Sequence, residues 1–404
     1  MVTVQYNPFT PEARADPYPL YRELREHDPF HWSELMEAWV LTRYDDVVAV
    51  LKDPRFSADR RRSRNRFAQM ANAMQDEVGP LGRATTMLSA DPPEHTRLRN
   101  LVSKAFTLPV IEGMRPHIQE IVDGLLDAVQ ERDEFDLIRD LAYPLPVIVI
   151  AEMLGVPPED REDFKRWSDD LAATLGGPFV GPDMFERARK SGQEMADYFR
   201  VVIAERREEP RDDLLSGLIA AEERGEVLSE DELLATCMLL MAAGNETTTN
   251  LIGNGMVALL RNPDQLQRLR NDPSLVESAV EEFLRYDGPI QGTARVATEE
   301  IEVGGRKVEE GQLVFTLLGA ADRDPAQFSN PEELDITRQD NRHIAFGYGV
   351  HFCIGSPLAR VEGQIAFQTL LRRWPNLTLA TEEVEWGPTF ILRGPKSLPL
   401  EVGA

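Results

Sequence analysis

Apolar residues recur at helical spacing along most of the chain, with charged residues between them. Met114–Val129, Leu137–Leu154, Phe164–Leu175 and Met184–Arg207 each carry this pattern. Helices are predicted there, with breaks at Pro157-Pro158 and Gly176-Gly177-Pro178. Tyr44–Leu51 repeats the pattern and stops at Asp53-Pro54. The longest periodic stretch runs from about Ser229 to Leu260. It opens with capping-box character at Ser229-Glu230-Asp231-Glu232. At 1.5 Å per residue it would span roughly 48 Å, enough to cross the whole molecule.

Strand signals are fewer. Trp32 and Trp39–Thr42 flank a polar turn at Glu34–Glu37 and read as two strands. Ile290–Ala297 reads as another, with more strands to Leu318 and short ones after Trp374-Pro375-Asn376. Pro8–Asp28 reads as a loop with a short helix around Pro19–Leu24. Phe67–Leu88, polar and irregular, reads as a mobile loop over a pocket. The predicted fold class is mainly α with a small β lobe (α+β). Residues 1–404 are read as one domain, its β-rich part formed mainly by about 28–45 and 288–320.

Composition narrows the function classes. Hydrophobic residues make up 42% and charged residues 28%, an ordinary globular balance. A formal net charge of −25 argues against nucleic-acid binding. No apolar run is long enough to span a bilayer, and Met1–Asn7 lacks a signal peptide's basic and apolar regions. Two cysteines give no disulfide framework and fit a cytoplasmic protein.

Four stretches carry candidate chemistry. In His343–Gly355, three glycines (Gly347, Gly349, Gly355) suggest tight turns and close backbone approach to something flat. Pro357 then fits the first turn of a helix, so Cys353 should lie just ahead of a helix N-terminus, where a thiolate is favoured. A thiolate is a strong metal ligand. Cys237, in an apolar helical run, reads as a small core residue. Neither zinc-ligand spacing nor a cysteine–histidine nucleophile motif is present. In the second stretch, Asp91–Arg99, prolines start a helix that puts His95 and Arg99 on one face, suited to carboxylates. The third, Ala242–Thr249, sets glycine, glutamate and three threonines inside the long helix. Glycine there costs about 1 kcal/mol, and such inconsistency marks function; bonding of the hydroxyls back to helix carbonyls is the plainer reading. In the fourth, Glu282 and Arg285 sit at ion-pair spacing. Finally, Arg60, Arg61, Arg62, Arg64 and Arg66 form a basic run in an acidic chain. A solvated loop is the favoured reading; contact with an anionic substrate or an acidic protein is the alternative.

The pattern Phe-Gly-x-Gly-x-His-x-Cys-x-Gly from Phe346 to Gly355 closely resembles the haem-ligand loop of the cytochrome P450 family, and the other motifs fall in that family's order. The resemblance implies the cytochrome P450 fold, with the long central helix over haem b (iron protoporphyrin IX). It implies Cys353 as the iron ligand, shielded by Phe346 and tuned by backbone N–H groups near Gly355. His95, Arg99, Arg295 and His351 would hold the propionates, with Ala243 and Gly244 against the haem. Glu246 would feed protons and Thr247 a hydrogen bond for O–O cleavage, at a kink opened by Gly244. Glu282, Arg285 and Arg338 would hold the fold. Leu88, Leu239, Ala243, Ile290, Gln291, Phe390 and Ile391 would meet the substrate, and Gly176–Pro182 would form the access lid. The implied function is a monooxygenase that puts one oxygen atom from O2 into a small hydrophobic molecule by hydroxylation or epoxidation. Electrons would come from a separate ferredoxin or flavodoxin and its reductase, docking on a basic surface that includes Arg360. An H2O2-driven peroxygenase and a non-catalytic haem-binding sensor are the alternatives, and the Glu246-Thr247 pair argues against both.

Overall fold

The computed structural model describes residues 4–172, 182–223 and 228–403. The helices that position the site are α1 (Glu94–Ser103), α2 (Glu230–Arg261), α3 (Val276–Asp287) and α4 (Ser356–Arg373). None of the described helices is long and apolar enough to cross a membrane.

The 32-residue α2 is the axis of the large lobe. Its start is fixed by a complete capping box: Ser229 accepts from the Glu232 N–H, and Glu232 accepts from the Ser229 N–H. Helices Pro144–Met153 and Arg161–Ala172 pack on it, as do α3 and α4. Most of its side chains are buried, which explains why apolar residues occur all round it rather than on one stripe. Close crossing depends on Gly255. A Cβ there would stand 2.6 Å from Phe367 of α4 and 2.8 Å from Phe283 of α3.

The small lobe is a five-stranded sheet of β1 (Phe30–Ser33), β2 (Ala38–Leu41), β3 (Phe56–Ser57), β4 (Thr293–Ala297) and β5 (Leu313–Thr316), in the order β1-β2-β5-β4-β3. β1 and β2 form the expected hairpin, with Phe30 opposite Leu41. β2 runs parallel to β5, and β4 lies antiparallel between β5 and β3. A second sheet joins Glu134–Asp136, Leu377–Leu379 and Pro399–Val402, tying the chain's end to the large lobe.

Several local readings need correction. Pro8–Asp28 holds two helices, Pro11–Ala15 and Tyr18–His27. The predicted irregular loop at Phe67–Leu88 is largely helical, Arg66–Asp76 followed by Pro80–Arg83. The overlooked signal is Asn65, whose side chain caps the first of these by accepting from the Ala68 N–H. Leu137–Leu154 begins as a π-helical turn, Ile138–Ala142, before the α-helix. The Gly176–Pro182 connector, apart from the Pro182 backbone that opens helix Pro182–Glu208, lies outside the described residues.

One core residue carries a pH consequence. Glu362 of α4 is buried, and its Oε1 has no hydrogen-bond partner. Burial pushes its pKa up to about 8, against a hydrogen bond from Thr248. A carboxyl raised above its unfolded value of about 4.3 stabilises the fold fully below that value. The contribution is lost as pH rises through about 8. Glu362→Gln is therefore expected to be more stable than the parent by roughly 2–4 kcal/mol at about pH 9. Between about pH 5 and 8 its stability should fall less steeply than the parent's, by about 1.4 kcal/mol per pH unit. Denaturant titrations across pH check this; parallel curves for the two proteins would refute it.

Candidate active site

The cysteine loop is built by glycines and by contacts to the small lobe. Gly347 and Gly349 adopt positive φ of 72° and 73°. A Cβ at Gly349 would stand 2.8 Å from the Leu51 carbonyl, so only glycine lets the loop lie this close. The Ile344 N–H donates to Asp322 at 2.7 Å, and the Cys353 N–H to the Phe346 carbonyl at 2.9 Å. α4 begins three residues after Cys353.

Cys353 keeps exposed surface at the end of this loop. Burial raises its pKa; the N–H groups of Gly355 and Ser356 and the charges of Arg99 and Arg360 pull it down. Burial wins, so the helix terminus alone does not make the thiolate expected from sequence. A bound metal would, because coordination deprotonates a thiol outright. Among the described residues no cluster of three or more His, Cys, Asp or Glu could hold a metal. Iron held here would need its other ligands from a macrocycle.

The groups expected at two carboxylates do converge. His95, 2% exposed, leaves its Nε2 without a partner. Its ring lies 4.4 Å from that of His351. Arg295, buried on β4, donates to the Ala294 carbonyl at 2.9 Å, and neither it nor Arg99 has a carboxylate partner among the described residues. Burial first, then the charges of Arg295 and His95, push His351 down to about 4; burial and Arg99 lower His95. Burial lowers Arg295 to about 10. Asp91 is the acid beside them, and it accepts from the Ala58 N–H at 2.9 Å. An orphaned imidazole nitrogen, the buried Arg295 and the half-buried Arg99, neither guanidinium paired with a carboxylate among the described residues, fit the propionates of a porphyrin.

On α2, Ala243 is exposed and Gly244 partly exposed. The helix runs without interruption from Glu230 to Arg261, where the resemblance implied a kink. Thr247 donates to the Ala243 carbonyl at 2.9 Å, the back-bonding that the sequence left open. Burial, and secondarily Asp169, raise Glu246 to about 7. Leu239 is buried one turn before Ala243, and Leu88 stands 58% exposed.

Two expected substrate residues sit elsewhere. Gln291 is buried, donating to the Gly288 carbonyl at 2.8 Å. Phe390 packs on Phe9 and Phe315 in the small lobe, at 5.2 and 6.2 Å between ring centroids. Both line a small cleft with Arg14, Leu20 and Arg393, none of them expected at the cofactor. Their neighbours Ile290 and Ile391 are half-buried; the Ile391 carbonyl accepts from the Gln291 N–H at 2.8 Å. Short-range pattern gave no means of telling which side of this turn faces inward.

Behind the loop, Glu282 and Arg285 of α3 form a two-pronged pair at 2.8 Å for each bond. Arg338 reaches the same carboxylate at 3.1 Å. Next to them Glu281 takes two bonds from Arg360, at 2.6 and 2.9 Å, and one from His343 at 3.0 Å. Against the upward push of burial, Arg360 and His343 hold Glu281 down at about 2. Arg360 also lies over the Phe346 ring, 4.6 Å from its centroid. Its charge is thus spent within the protein, which argues against its expected role in docking a redox partner. Sequence reasoning missed this triad because its members lie far apart in the chain.

The comparisons with known proteins agree with this geometry. The family model for cytochrome P450 matches residues 30–385. Cytochrome P450 CYP107DY1 of Priestia megaterium is 43% identical, over 97% of each chain. The vitamin D(3) 25-hydroxylase of Pseudonocardia autotrophica is 40% identical, over 99% of this chain and 97% of the relative. The crystal structure of the myxobacterial cytochrome P450 CYP267B1 with myristic acid superposes with a TM-score of 0.90 at 44% identity, over 98% of this chain and 99% of that one. The chain therefore belongs to the cytochrome P450 family, whose cofactor is a haem held by a thiolate, and it is a monooxygenase acting on small molecules.

Proposed function

We propose that this protein binds haem b through Cys353 and inserts one oxygen atom from O2 into an organic small molecule, by hydroxylation or epoxidation. The observation that carries the reading is the exposed Cys353 sulfur, within reach of the Arg99 charge, together with an orphaned His95 nitrogen and the guanidiniums of Arg99 and Arg295, which have no carboxylate partner among the described residues. Bound there, the haem supplies oxygen activation. The chain's residues do the rest. His95, Arg99, Arg295 and His351 hold the two propionates and fix the ring's orientation. Phe346, the glycines of the loop and α2 keep bulk water from the sulfur. Glu246, raised to about 7, is protonated over part of the physiological range and can deliver a proton across the helix groove. Thr247 can turn its hydroxyl from the Ala243 carbonyl towards the reacting oxygen. Electrons come from a separate ferredoxin or flavodoxin and its reductase, in the cytoplasm.

The relatives' named molecules, vitamin D(3) and myristic acid, support an apolar substrate of moderate size. The test is reconstitution with a ferredoxin and its reductase under labelled O2. One labelled oxygen atom per product is expected; product formed only with added H2O2 would favour the peroxygenase instead. Within this reading Thr247→Ala is expected to keep consuming reducing equivalents while product per equivalent falls about tenfold and H2O2 rises. Simultaneous measurement of the three quantities checks it. Unchanged coupling would remove Thr247 from the proton path.

A further inference from the structure

The ion pair behind the cysteine loop presents its two charges unevenly. Arg360 of α4 lies over the Phe346 ring, 4.6 Å from its centroid, and the Phe346 carbonyl takes the Cys353 N–H at 2.9 Å. The cation end of the pair therefore abuts the turn that carries the sulfur. The anion end, Glu281, stands on α3 and grips Arg360 with two bonds, at 2.6 and 2.9 Å. His343, at the start of the loop, fixes that carboxylate. The Ala345 N–H donates to His343 Nδ1 at 3.3 Å, so the ring proton lies on Nε2 and is given to Glu281 at 3.0 Å. The Arg360 and Glu281 side chains are 30% and 28% exposed, so water screens their fields only in part. Burial raises the Cys353 thiol, and the Gly355 N–H, then Arg99 and Arg360, act against it. Arg99 is claimed by a propionate. Arg360 is not, and no substrate or proton role assigned above uses it.

We propose that Arg360 raises, and Glu281 restrains, the reduction potential of the iron held at Cys353, so that this pair sets how readily the resting enzyme takes its first electron. An added electron places negative charge on the iron and sulfur together. A nearby cation favours that charge and a nearby anion opposes it. Charges and hydrogen bonds around a haem's axial ligand tune its potential in this way. Both residues are positioning residues, since they act on the sulfur through the Phe346 turn and through space. The cation end is the one in contact with the loop, so Arg360 has the larger influence. The two-pronged grip of Glu281 holds the planar guanidinium on the ring in one geometry. The inference rests on the haem-thiolate reading, and its signature is a pair of shifts of opposite sign.

The test uses the holoenzyme without substrate. Midpoint potentials are read by spectroelectrochemistry on the parent, Arg360→Gln, Arg360→Lys, Glu281→Gln and Arg342→Gln. Arg360→Gln should lower the equilibrium constant for one-electron reduction at least about threefold, or about 28 mV, tenfold being 59 mV. Glu281→Gln keeps an acceptor for Arg360 but loses the charge, and should raise that constant at least about twofold, or about 18 mV. Arg360→Lys should stay nearer the parent than Arg360→Gln does. Arg342→Gln removes a 74% exposed charge paired with Asp340 and should leave the potential unchanged. A mere brace for the loop would move Arg360→Gln and Glu281→Gln in the same direction or not at all, and either result would overturn the proposal. So would a lysine variant that matches the glutamine one. Were Arg360→Gln to lose its haem, Glu281→Gln would decide alone, and a potential that did not rise would end the proposal. A red-shifted Soret band under carbon monoxide in each variant keeps the haem-thiolate reading separate from this one.

Discussion

Cys353→Ser is expected to give a folded protein whose reduced form under carbon monoxide lacks the red-shifted Soret band. Its oxygenation rate should fall to below about one-thousandth of the parent's, a loss of roughly 4 kcal/mol of barrier lowering. The reason lies in what the rest of the pocket can supply. A serine hydroxyl cannot push electron density to iron as a thiolate does. Nor can another side chain take over, since no other His, Cys, Asp or Glu cluster suited to a metal exists among the described residues. The loop itself should survive, because its form depends on Gly347, Gly349 and backbone bonds such as Cys353 N–H to Phe346, none of which needs sulfur. Circular dichroism separates loss of the ligand from loss of the fold. A serine variant that kept the shifted band would end the assignment of Cys353.

The second large effect is on stability. Glu282→Ala is expected to cost about 3–5 kcal/mol, the usual result of stripping one partner from a buried ion pair. Both Glu282 and Arg285 are 0% exposed. The carboxylate also accepts from the Asp335 N–H at 2.9 Å and from Arg338 and Asn341 at 3.1 Å each. The alanine would leave Arg285 charged inside the protein, holding only carbonyls of Asp322, Pro331 and Glu333. Because this knot fixes the segment leading to the cysteine loop, haem retention should fall with stability. Arg338→Ala should cost less, since Arg285 remains paired with the acid. Denaturant midpoints and haem content read both effects. A Glu282→Ala loss below about 1 kcal/mol would show that the pair is not the anchor.

Much of the molecule was legible because short-range patterns carried it. The capping box at Ser229–Glu232 and the unbroken run to Arg261 announced the central helix. Gly347, Gly349 and Gly355 announced a tightly turned loop, and two of them do take positive φ. His95 and Arg99 announced a shared face. Contacts between distant segments were not legible. Asp169 beside Glu246, Arg360 on Glu281, and Phe390 packed on Phe9 obey no spacing rule. The helix at Arg66–Asp76 was lost for another reason: its signal was a single asparagine cap ahead of a weakly apolar stretch.

The meeting of His95 with His351 bears on biogenesis. One imidazole is made early by the ribosome and the other late, and the sulfur follows two residues after the second. A nascent chain therefore cannot clasp its prosthetic group until nearly all of it has emerged. Full uptake of the group is therefore expected only once the segment carrying His351 and Cys353 has left the ribosome.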